Sequence, residues 1–339
     1  MEPSFVEPAP ANPADAPTAL SAEQVRSWRT QGYTLVDGLF PTTLIDELQA
    51  SAGAHFPEPD SQQAVKIRDF GSAVNFPSRL AGFNELTLHP RLLGAVSQLL
   101  GCDIAGLRLG QSDLWPKYGR SLTGDQYDNQ DQRIHVDYPN HTLAHPSPWG
   151  RPEAVELILY LSDGDECGGS TAVVPRNGPD DPAYRWPIVD TPGVGNLRYI
   201  NDRGAAEEYF AVERPKLADW RQSLYDRERW TLFSPGTVVF YRHDLWHRGT
   251  PLRAGTRRLA HNLTFRRAEC EWVSTLHVGW SWAMYRDDKF MERLIASSSL
   301  DQRAVLGFPQ PGSSYWCDET RAGVLARYGT FGFDILPYC

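Results

Sequence analysis

With 339 residues, of which 41% are hydrophobic and 22% charged, the chain is long enough to bury a full core in one large domain or two. Its formal net charge of −9 argues against a nucleic-acid partner, which would need a basic face to neutralise phosphates, and favours a small-molecule role. The five cysteines are scattered without C-x-x-C spacing, which indicates neither a disulfide framework nor a zinc knuckle and favours a reducing, cytoplasmic setting. We expect no membrane span, because no run of eighteen apolar residues occurs.

The N-terminal part of the chain passes from a Pro-rich segment into helices. Residues 1–18 are rich in Pro and Ala and lack the basic and apolar regions of a signal peptide, so we expect a disordered tail there. The capping-box pair Ser21 and Gln24 predicts the start of a helix, and Gly32 is placed to end it. The spacing of apolar residues then predicts a strand over 33–36 and helices over about 43–54 and 90–100.

From Cys102 onward, short apolar runs separated by turns replace the helical spacing. Strands are predicted over 104–117, 155–161, 171–174, 237–241 and 259–265. Short strands with such turns are typical of a two-sheet jelly roll, whose interior can hold a metal at one mouth. We therefore expect a mainly β fold with flanking helices, a double-stranded β-helix of the cupin-like kind.

Two segments depart from this pattern of short strands and turns. Residues 178–230 form a long Arg-rich segment between two predicted strands, and a helix is expected around 205–225. We interpret this segment as an insertion or a lid. Residues 268–339 are interpreted as a C-terminal helical extension, with helices near 285–297, 300–306 and 320–328. Its tryptophans should pack against the barrel or in a subunit contact, and the second arrangement would make a homodimer. We expect residues 19–339 to form a single domain.

The motif that carries chemistry is the H-x-D triplet of His135 and Asp137, followed much later by His247. Alternate side chains of a strand share one face, so a triplet in a strand would bring His135 and Asp137 close enough to chelate one ion. A Pro-Gly turn and a β-branched strand at 234–241 lead to His247, which completes the two imidazoles and one carboxylate of non-haem Fe(II) oxygenases. An isolated H-x-D is more often a hydrogen-bonded pair, and His243 is a competing ligand.

Together with its surroundings, this motif resembles the phytanoyl-CoA dioxygenase family of Fe(II)/2-oxoglutarate oxygenases. The family pattern has a Gln and a Lys before the H-x-D, a hydrophobic strand and Gly turn ending in Pro, and a Pro-Gly strand ending in His, with an Arg about eleven residues later. The matching residues here are Gln111, Lys117, His135, Asp137, Pro175, Pro235, Gly236, His247 and Arg258. The resemblance covers roughly residues 20–267, and it departs from the pattern at Arg176-Asn177-Gly178, where many relatives carry Gly-Ser-His.

The resemblance implies an enzyme that binds Fe(II) through His135, Asp137 and His247 and uses 2-oxoglutarate and O2. Arg258 would clamp the distal carboxylate of the cosubstrate, because a guanidinium fork fits a planar carboxylate better than an ammonium does. Arg257 would point to the opposite face of the same strand, so at most one of the two should face the pocket.

Gln111 and Lys117 match family positions that help to hold the cosubstrate, and their even offset lets both line one face of a strand. The implied reaction is hydroxylation of a small organic molecule with release of succinate and CO2. The alternatives are desaturation or another oxidative tailoring reaction, a non-catalytic cupin-like binding protein, and a metal-dependent hydrolase, which would not need the Arg258 clamp. Related halogenases carry a small residue in place of the carboxylate, so Asp137 argues against halogenation.

Overall fold

The structure, a computed structural model, describes residues 3–67, 71–120, 131–185, 187–189, 201–270, 289–305 and 307–339. Its strands are β1 (Ser4–Val6), β2 (Ala9–Pro10), β3 (Tyr33–Asp37), β4 (Val74–Asn75), β5 (Leu107–Tyr118), β6 (Ala154–Tyr160), β7 (Thr171–Val173), β8 (Arg229–Thr231), β9 (Val238–Tyr241), β10 (His247–Gly249) and β11 (Arg257–Arg267). Its α-helices are α1 (Ala22–Gln31), α2 (Thr42–His55), α3 (Gln62–Lys66), α4 (Phe83–Thr87), α5 (Pro90–Leu100), α6 (Tyr138–His141), α7 (Gly164–Cys167), α8 (Arg203–Glu213), α9 (Pro215–Tyr225), α10 (Phe290–Ser297), α11 (Leu300–Val305) and α12 (Asp318–Tyr328). Within these ranges, every helix is too short or too polar to span a lipid bilayer.

The strands form two sheets that face each other. The smaller sheet has the order β1-β8-β7-β10, and the larger has the order β2-β3-β9-β6-β11-β5-β4. Neighbouring strands are antiparallel, except that β1 runs parallel to β8 and β2 runs parallel to β3. Ile158 and Tyr160 of β6 share one buried cluster with Val173 of β7, so apolar side chains fill the space between the sheets. This architecture confirms the predicted jelly roll with flanking helices.

Helices cover the other face of the larger sheet. Leu157 and Leu159 of β6 point to this side and belong to the same buried cluster as Leu48 of α2 and Val96 of α5. Strand β6 is therefore buried on both faces, which explains why its sequence reads as a nearly continuous apolar run instead of an alternating one.

Helix α1 begins and ends where its capping residues indicated. The Ser21 hydroxyl accepts a hydrogen bond from the Gln24 N–H at 3.2 Å, and the Gln24 side-chain oxygen accepts one from the Ser21 N–H at 2.8 Å. Gly32 ends the helix with a φ of 96°, a left-handed conformation that favours glycine, and its N–H donates to the Trp28 carbonyl. The predicted helices over 43–54 and 90–100 are confirmed as α2 and α5.

The N-terminal segment differs from the expected disordered tail. Its described part, residues 3–18, contains β1 and β2, each added to the edge of a sheet. The Ala11 N–H donates to the Asp37 carbonyl at 2.7 Å, and the Gln24 side-chain amide donates to the Pro10 carbonyl at 3.0 Å. The expectation failed because pairing along a sheet edge uses backbone groups, which a Pro- and Ala-rich sequence still offers, and an edge strand tolerates proline.

The insertion at 178–230 contains two helices where one was expected, because Pro215 disfavours helical backbone at Arg214 and separates α8 from α9. The buried Arg221 of α9 donates to the Ile134 carbonyl at 3.0 Å, and the Tyr225 hydroxyl accepts from the Ile134 N–H at 2.9 Å. Helix α9 is thus tied to the segment that leads to His135. Residues 186 and 190–200 of the insertion lie outside the described residues, and the lid interpretation stays a prediction.

The C-terminal extension packs onto the chain that follows Asp137. Arg327 of α12 donates to the Thr142 carbonyl at 2.6 Å and to the Pro139 carbonyl at 3.2 Å. Gly323 of the same helix lies so close to His145 that an added Cβ would stand 2.2 Å from the imidazole Cγ. The three predicted helices match α10, α11 and α12 where the structure describes them, while residues 285–288 and 306 lie outside that description.

Candidate metal and cosubstrate site

His135 and His247 are held side by side by their own backbones. His247 begins β10, and His135 lies opposite it in a single antiparallel bridge, with the N–H of each donating to the carbonyl of the other at 2.9 Å. The prediction that His135 and Asp137 share a strand is wrong. Asp137 has φ −91° and ψ −18°, and the N–H groups of Asp137 and Tyr138 donate to the His243 carbonyl, so the chain turns into α6 instead of continuing along a sheet.

The three side chains nevertheless converge. His135 Nε2 lies 3.5 Å from Asp137 Oδ1, and His247 Nε2 lies 3.2 Å from Asp137 Oδ2. One ligand atom from each residue falls within 4.8 Å of the others, a spacing that one metal ion can bridge. Two imidazole nitrogens and one carboxylate oxygen form the donor set of a facial Fe(II) site.

Backbone carbonyls fix which imidazole nitrogen faces the centre. His135 Nδ1 lies 2.9 Å from the Arg133 carbonyl oxygen, and His247 Nδ1 lies 2.9 Å from the Leu245 carbonyl oxygen. A carbonyl can only accept, so each Nδ1 carries the proton and each Nε2 keeps a lone pair directed at the centre. This arrangement orients ligating histidines in metal sites, and the residues present therefore fit an iron ion.

Asp137 is kept ionised and oriented by its neighbours. The Tyr241 hydroxyl donates to Oδ2 at 2.9 Å, and the Asn140 amide donates to Oδ1 at 3.3 Å. Burial raises the pKa of Asp137, but the adjacent His247 and His135 outweigh this effect and hold that pKa well below its usual range. The side chain is therefore a carboxylate, the form that a metal ligand requires.

The competing ligand His243 lies outside the group of candidate ligands among the described residues. Its imidazole is 2% exposed, and burial lowers its pKa to about 4, so the ring is neutral. The backbone carbonyl of His243, by contrast, accepts the hydrogen bonds that bend the chain at Asp137. His243 thus supports the site through its main chain.

A cavity between the sheets extends from the three candidate ligands along the inner faces of β5, β6 and β11. Its wall includes Gln111, Lys117, His141, Glu156, Arg258 and Asn262. Arg258 and Lys117 are paired across β11 and β5, at one end of this wall. The side chain of Arg257 points the other way and donates to the Phe56 carbonyl at 2.6 Å, as the alternation of a strand requires.

Arg258 has unused hydrogen-bonding capacity. The residue is 6% exposed, its Nη1 donates to the Gly169 carbonyl, and its Nε is buried without a hydrogen bond to any described residue. No carboxylate of the described residues forms an ion pair with it. A buried guanidinium in this state matches a ligand with a carboxylate, because buried charges are normally paired.

Gln111 and Lys117 both line the cavity, as the even offset predicted, but they lie at opposite ends of it. Lys117 pairs in register with Arg258, whereas Gln111 lies six residues away beside Thr264. The Gln111 amide donates to Asp113 Oδ2 at 2.7 Å. Lys117 is thus placed with the Arg258 end, and Gln111 with the opposite end.

Sequence reasoning missed Glu156 of β6, which is 3% exposed and lines the cavity. A signal was present, since Glu156 is the one charged residue in the otherwise apolar strand AVELILY. Charged residues are almost never fully buried without a partner, so a glutamate in a strand buried on both faces points to a site.

The facing sheets, the three converging candidate ligands and the guanidinium at the cavity end are the features of jelly-roll non-haem iron oxygenases. The model of the phytanoyl-CoA dioxygenase (PhyH) family matches residues 28–260. This match spans more than half of the chain, so the chain belongs to the phytanoyl-CoA dioxygenase family. It is accordingly an Fe(II)- and 2-oxoglutarate-dependent dioxygenase.

Solved structures share the fold at low sequence identity. EctD from S. alaskensis with bound Fe is 18% identical and has a TM-score of 0.50, with 83% of this chain and 88% of that chain covered. The apoform of EctD is 16% identical and has a TM-score of 0.50, with 83% and 89% covered. At these identities the likeness shows the fold alone. A search of the curated proteins gave no significant match.

Proposed function

We propose that this dioxygenase hydroxylates a small organic molecule and that His135, Asp137 and His247 are its iron ligands. The observation that carries the proposal is the convergence of two Nε2 atoms and one carboxylate within 4.8 Å. When bound, Fe(II) and 2-oxoglutarate supply the oxidising chemistry, in which O2 provides one oxygen atom to the substrate and one to succinate, with release of CO2.

The residues around the ligands have distinct tasks in this proposal. Arg258 binds the distal carboxylate of 2-oxoglutarate through its fork, and Lys117 adds a second positive charge at the same end. Tyr241 and Asn140 hold the two oxygens of Asp137. Gln111 retains a proposed part in cosubstrate binding, although it lies beside Thr264, at the end of the cavity opposite Arg258. That place fits contact with the reacting groups better than contact with the distal carboxylate.

A carboxylate clamp also separates oxygenase from hydrolase chemistry. A metal-dependent hydrolase needs an activated water, whereas 2-oxoglutarate needs a cationic partner for its distal carboxylate. The buried Arg258, without a carboxylate partner among the described residues, supplies that partner. Desaturation would use the same ligands and clamp, and the product mass distinguishes it from hydroxylation.

The setting of the enzyme is part of the proposal. All five cysteines lie within the described residues and none forms a disulfide, which supports a reducing, cytoplasmic location. A homodimer remains a prediction from the tryptophan-rich C-terminal extension.

The test of the metal site is the iron content of alanine variants. His135→Ala, Asp137→Ala and His247→Ala should each lose most of the bound iron, because removing one of three protein ligands leaves too few to hold Fe(II). His243→Ala is the matched control, since this buried histidine is not among the converging ligands, and it should retain iron. Full iron occupancy in His247→Ala together with loss in His243→Ala would transfer the role to His243 and contradict the proposed triad.

A further inference from the structure

A buried carboxylate in the cavity is used by neither the metal ligands nor the cosubstrate clamp. Glu156 Oε2 accepts a hydrogen bond from the Thr264 hydroxyl. Its Oε1 is buried and forms no hydrogen bond with any described residue. The imidazole Nε2 of His141 lies 3.5 Å from Oε1, too far for a hydrogen bond of ordinary strength. One carboxylate oxygen is therefore left to a ligand.

The register of the larger sheet places this oxygen beside the metal centre. Glu156 is the cross-strand neighbour of Tyr241 on one side and of Thr264 on the other. Tyr241 in turn donates its hydroxyl hydrogen bond to Asp137. A group bound at Glu156 would thus lie one side chain away from a proposed iron ligand, close enough to hold an adjoining C–H bond near the reaction.

The ionised form of Glu156 is poorly compensated by the described residues, because burial lowers the pKa of the neighbouring His141 and keeps that ring neutral. Among the described residues, no lysine or arginine forms an ion pair with Glu156. The cations of the cavity wall, Lys117 and Arg258, lie six residues further along the strands. At the rise of a strand, this offset is about 20 Å of backbone. Burial and the nearby Asp137 raise the pKa of Glu156 well above its usual range. Without a cation beside it the side chain therefore holds a proton, whereas a bound cation would favour the carboxylate, because buried charges are stabilised by pairing.

The two bound groups already assigned do not fit this position. 2-Oxoglutarate carries two carboxylates, which Glu156 would repel and which Arg258 attracts at the other end. The iron site takes its three protein ligands elsewhere. The substrate remains, and a protonated amine would supply both a positive charge and N–H donors for the unused oxygen.

We propose that Glu156 is a specificity-determining residue that selects a small substrate carrying a protonated amine and receives its N–H at Oε1. This inference rests on the proposed oxygenase function and names the substrate class of the same cavity. The carboxamides of Gln111 and Asn262, which also line the cavity, offer further acceptors for the same group.

The experiment compares three probes of equal chain length. The full-length protein, loaded with Fe(II) and 2-oxoglutarate without oxygen, is titrated by calorimetry with butylammonium, 1-butanol and butyrate. The native protein should bind butylammonium at least tenfold more tightly than butanol, and butyrate most weakly. Glu156→Gln should abolish the preference for butylammonium, and Glu156→Asp, which keeps the charge, should retain it.

The matched control is Glu153→Gln. Glu153 is also a buried carboxylate, but it accepts hydrogen bonds from the Ser147 N–H and hydroxyl and lies outside this cavity, so the preference should persist. Equal affinity of the native protein for butylammonium and butanol, or an unchanged preference in Glu156→Gln, would overturn the proposal. If Glu156→Gln does not fold, the proposal is tested by the affinities of the native protein and of Glu156→Asp for the three probes. Iron and 2-oxoglutarate binding are measured in the same samples. Failure of the native protein to bind either of them would instead contradict the proposed function.

Discussion

Replacing Arg258 by lysine tests the cosubstrate clamp without removing its charge. The guanidinium lies at the end of the cavity beside Lys117, donates to the Gly169 carbonyl, and keeps a buried Nε without a described partner. A lysine ammonium can still attract a carboxylate, but it cannot form two parallel N–H···O bonds with it. We therefore expect weaker binding of 2-oxoglutarate and unchanged binding of iron.

The magnitude follows from the loss of one charge-assisted hydrogen bond in a buried site. Such a bond contributes about 1.5–3 kcal/mol, and each 1.4 kcal/mol corresponds to roughly a tenfold change in Kd. Arg258→Lys should therefore raise the Kd of 2-oxoglutarate roughly 10- to 150-fold. Arg258→Ala also leaves the cosubstrate carboxylate without a partner, which costs about 2–5 kcal/mol, roughly 30-fold to several thousand-fold.

The assay is an anaerobic titration of the Fe(II)-loaded protein with 2-oxoglutarate, followed by the visible charge-transfer band of the complex. Iron stoichiometry is measured in the same samples. Arg257→Lys is the matched control, because Arg257 lies on the same strand but donates to the Phe56 and Pro57 carbonyls on the opposite face. It should leave the Kd of 2-oxoglutarate unchanged.

The reasoning would be refuted by the reverse pattern. Unchanged 2-oxoglutarate affinity in Arg258→Ala, with a loss in Arg257→Lys, would mean that the cosubstrate binds on the other face of β11. Loss of iron in Arg258→Lys would show that the residue supports the metal centre and not the cosubstrate alone.

Chloride should not change the charge-transfer band of the Fe(II)–2-oxoglutarate complex, because Asp137, as a proposed iron ligand, would fill the position that a halide needs. Product mass should rise by one oxygen or fall by two hydrogens, and chlorinated product would contradict this role. Arg327→Leu should release iron several-fold faster on dialysis, because Arg327 holds the Pro139 and Thr142 carbonyls just after Asp137; a folded variant with native iron retention would show that the C-terminal extension does not position this ligand. Burial lowers the pKa of His261 to about 3, so the folded state keeps the ring neutral. The unfolded chain takes up a proton on this ring below about pH 6.5. The free energy of unfolding therefore falls as the pH decreases through this window. In His261→Gln, the loss of unfolding free energy between pH 7 and pH 5, measured with urea, should be smaller by about 2 kcal/mol; an equal loss in both proteins would assign the pH dependence to other groups.

Local physics made several elements readable from the sequence. The capping box of Ser21 and Gln24, with Gly32 behind it, sets the ends of α1 through hydrogen bonds between residues a few positions apart. The continuous apolar run of β6 reflects burial on both faces of one strand. The order and spacing of His135, Asp137 and the later residues indicated the family, which the match over residues 28–260 confirms.

Other features depend on residues that are distant in the sequence. The N-terminal segment is ordered because sheet edges accept its backbone, and no composition rule describes the presence of an edge. Asp137 reaches the two histidines through a bend imposed by the carbonyl of His243, more than a hundred residues later, and not through the alternation of a strand. The sequence was right about which side chains meet and wrong about how the backbone brings them together.

Glu156 illustrates the same division. The sequence alone shows a glutamate within an apolar strand, and composition identifies it only as unusual. Whether Glu156 has a cationic neighbour depends on the register of four strands. This register places Tyr241, Thr264 and Gln111 in one row with Glu156 and places Arg258 and Lys117 at the far end. Whether a buried charge finds a partner is decided by cross-strand neighbours, and these are fixed by long-range pairing that only the folded chain possesses.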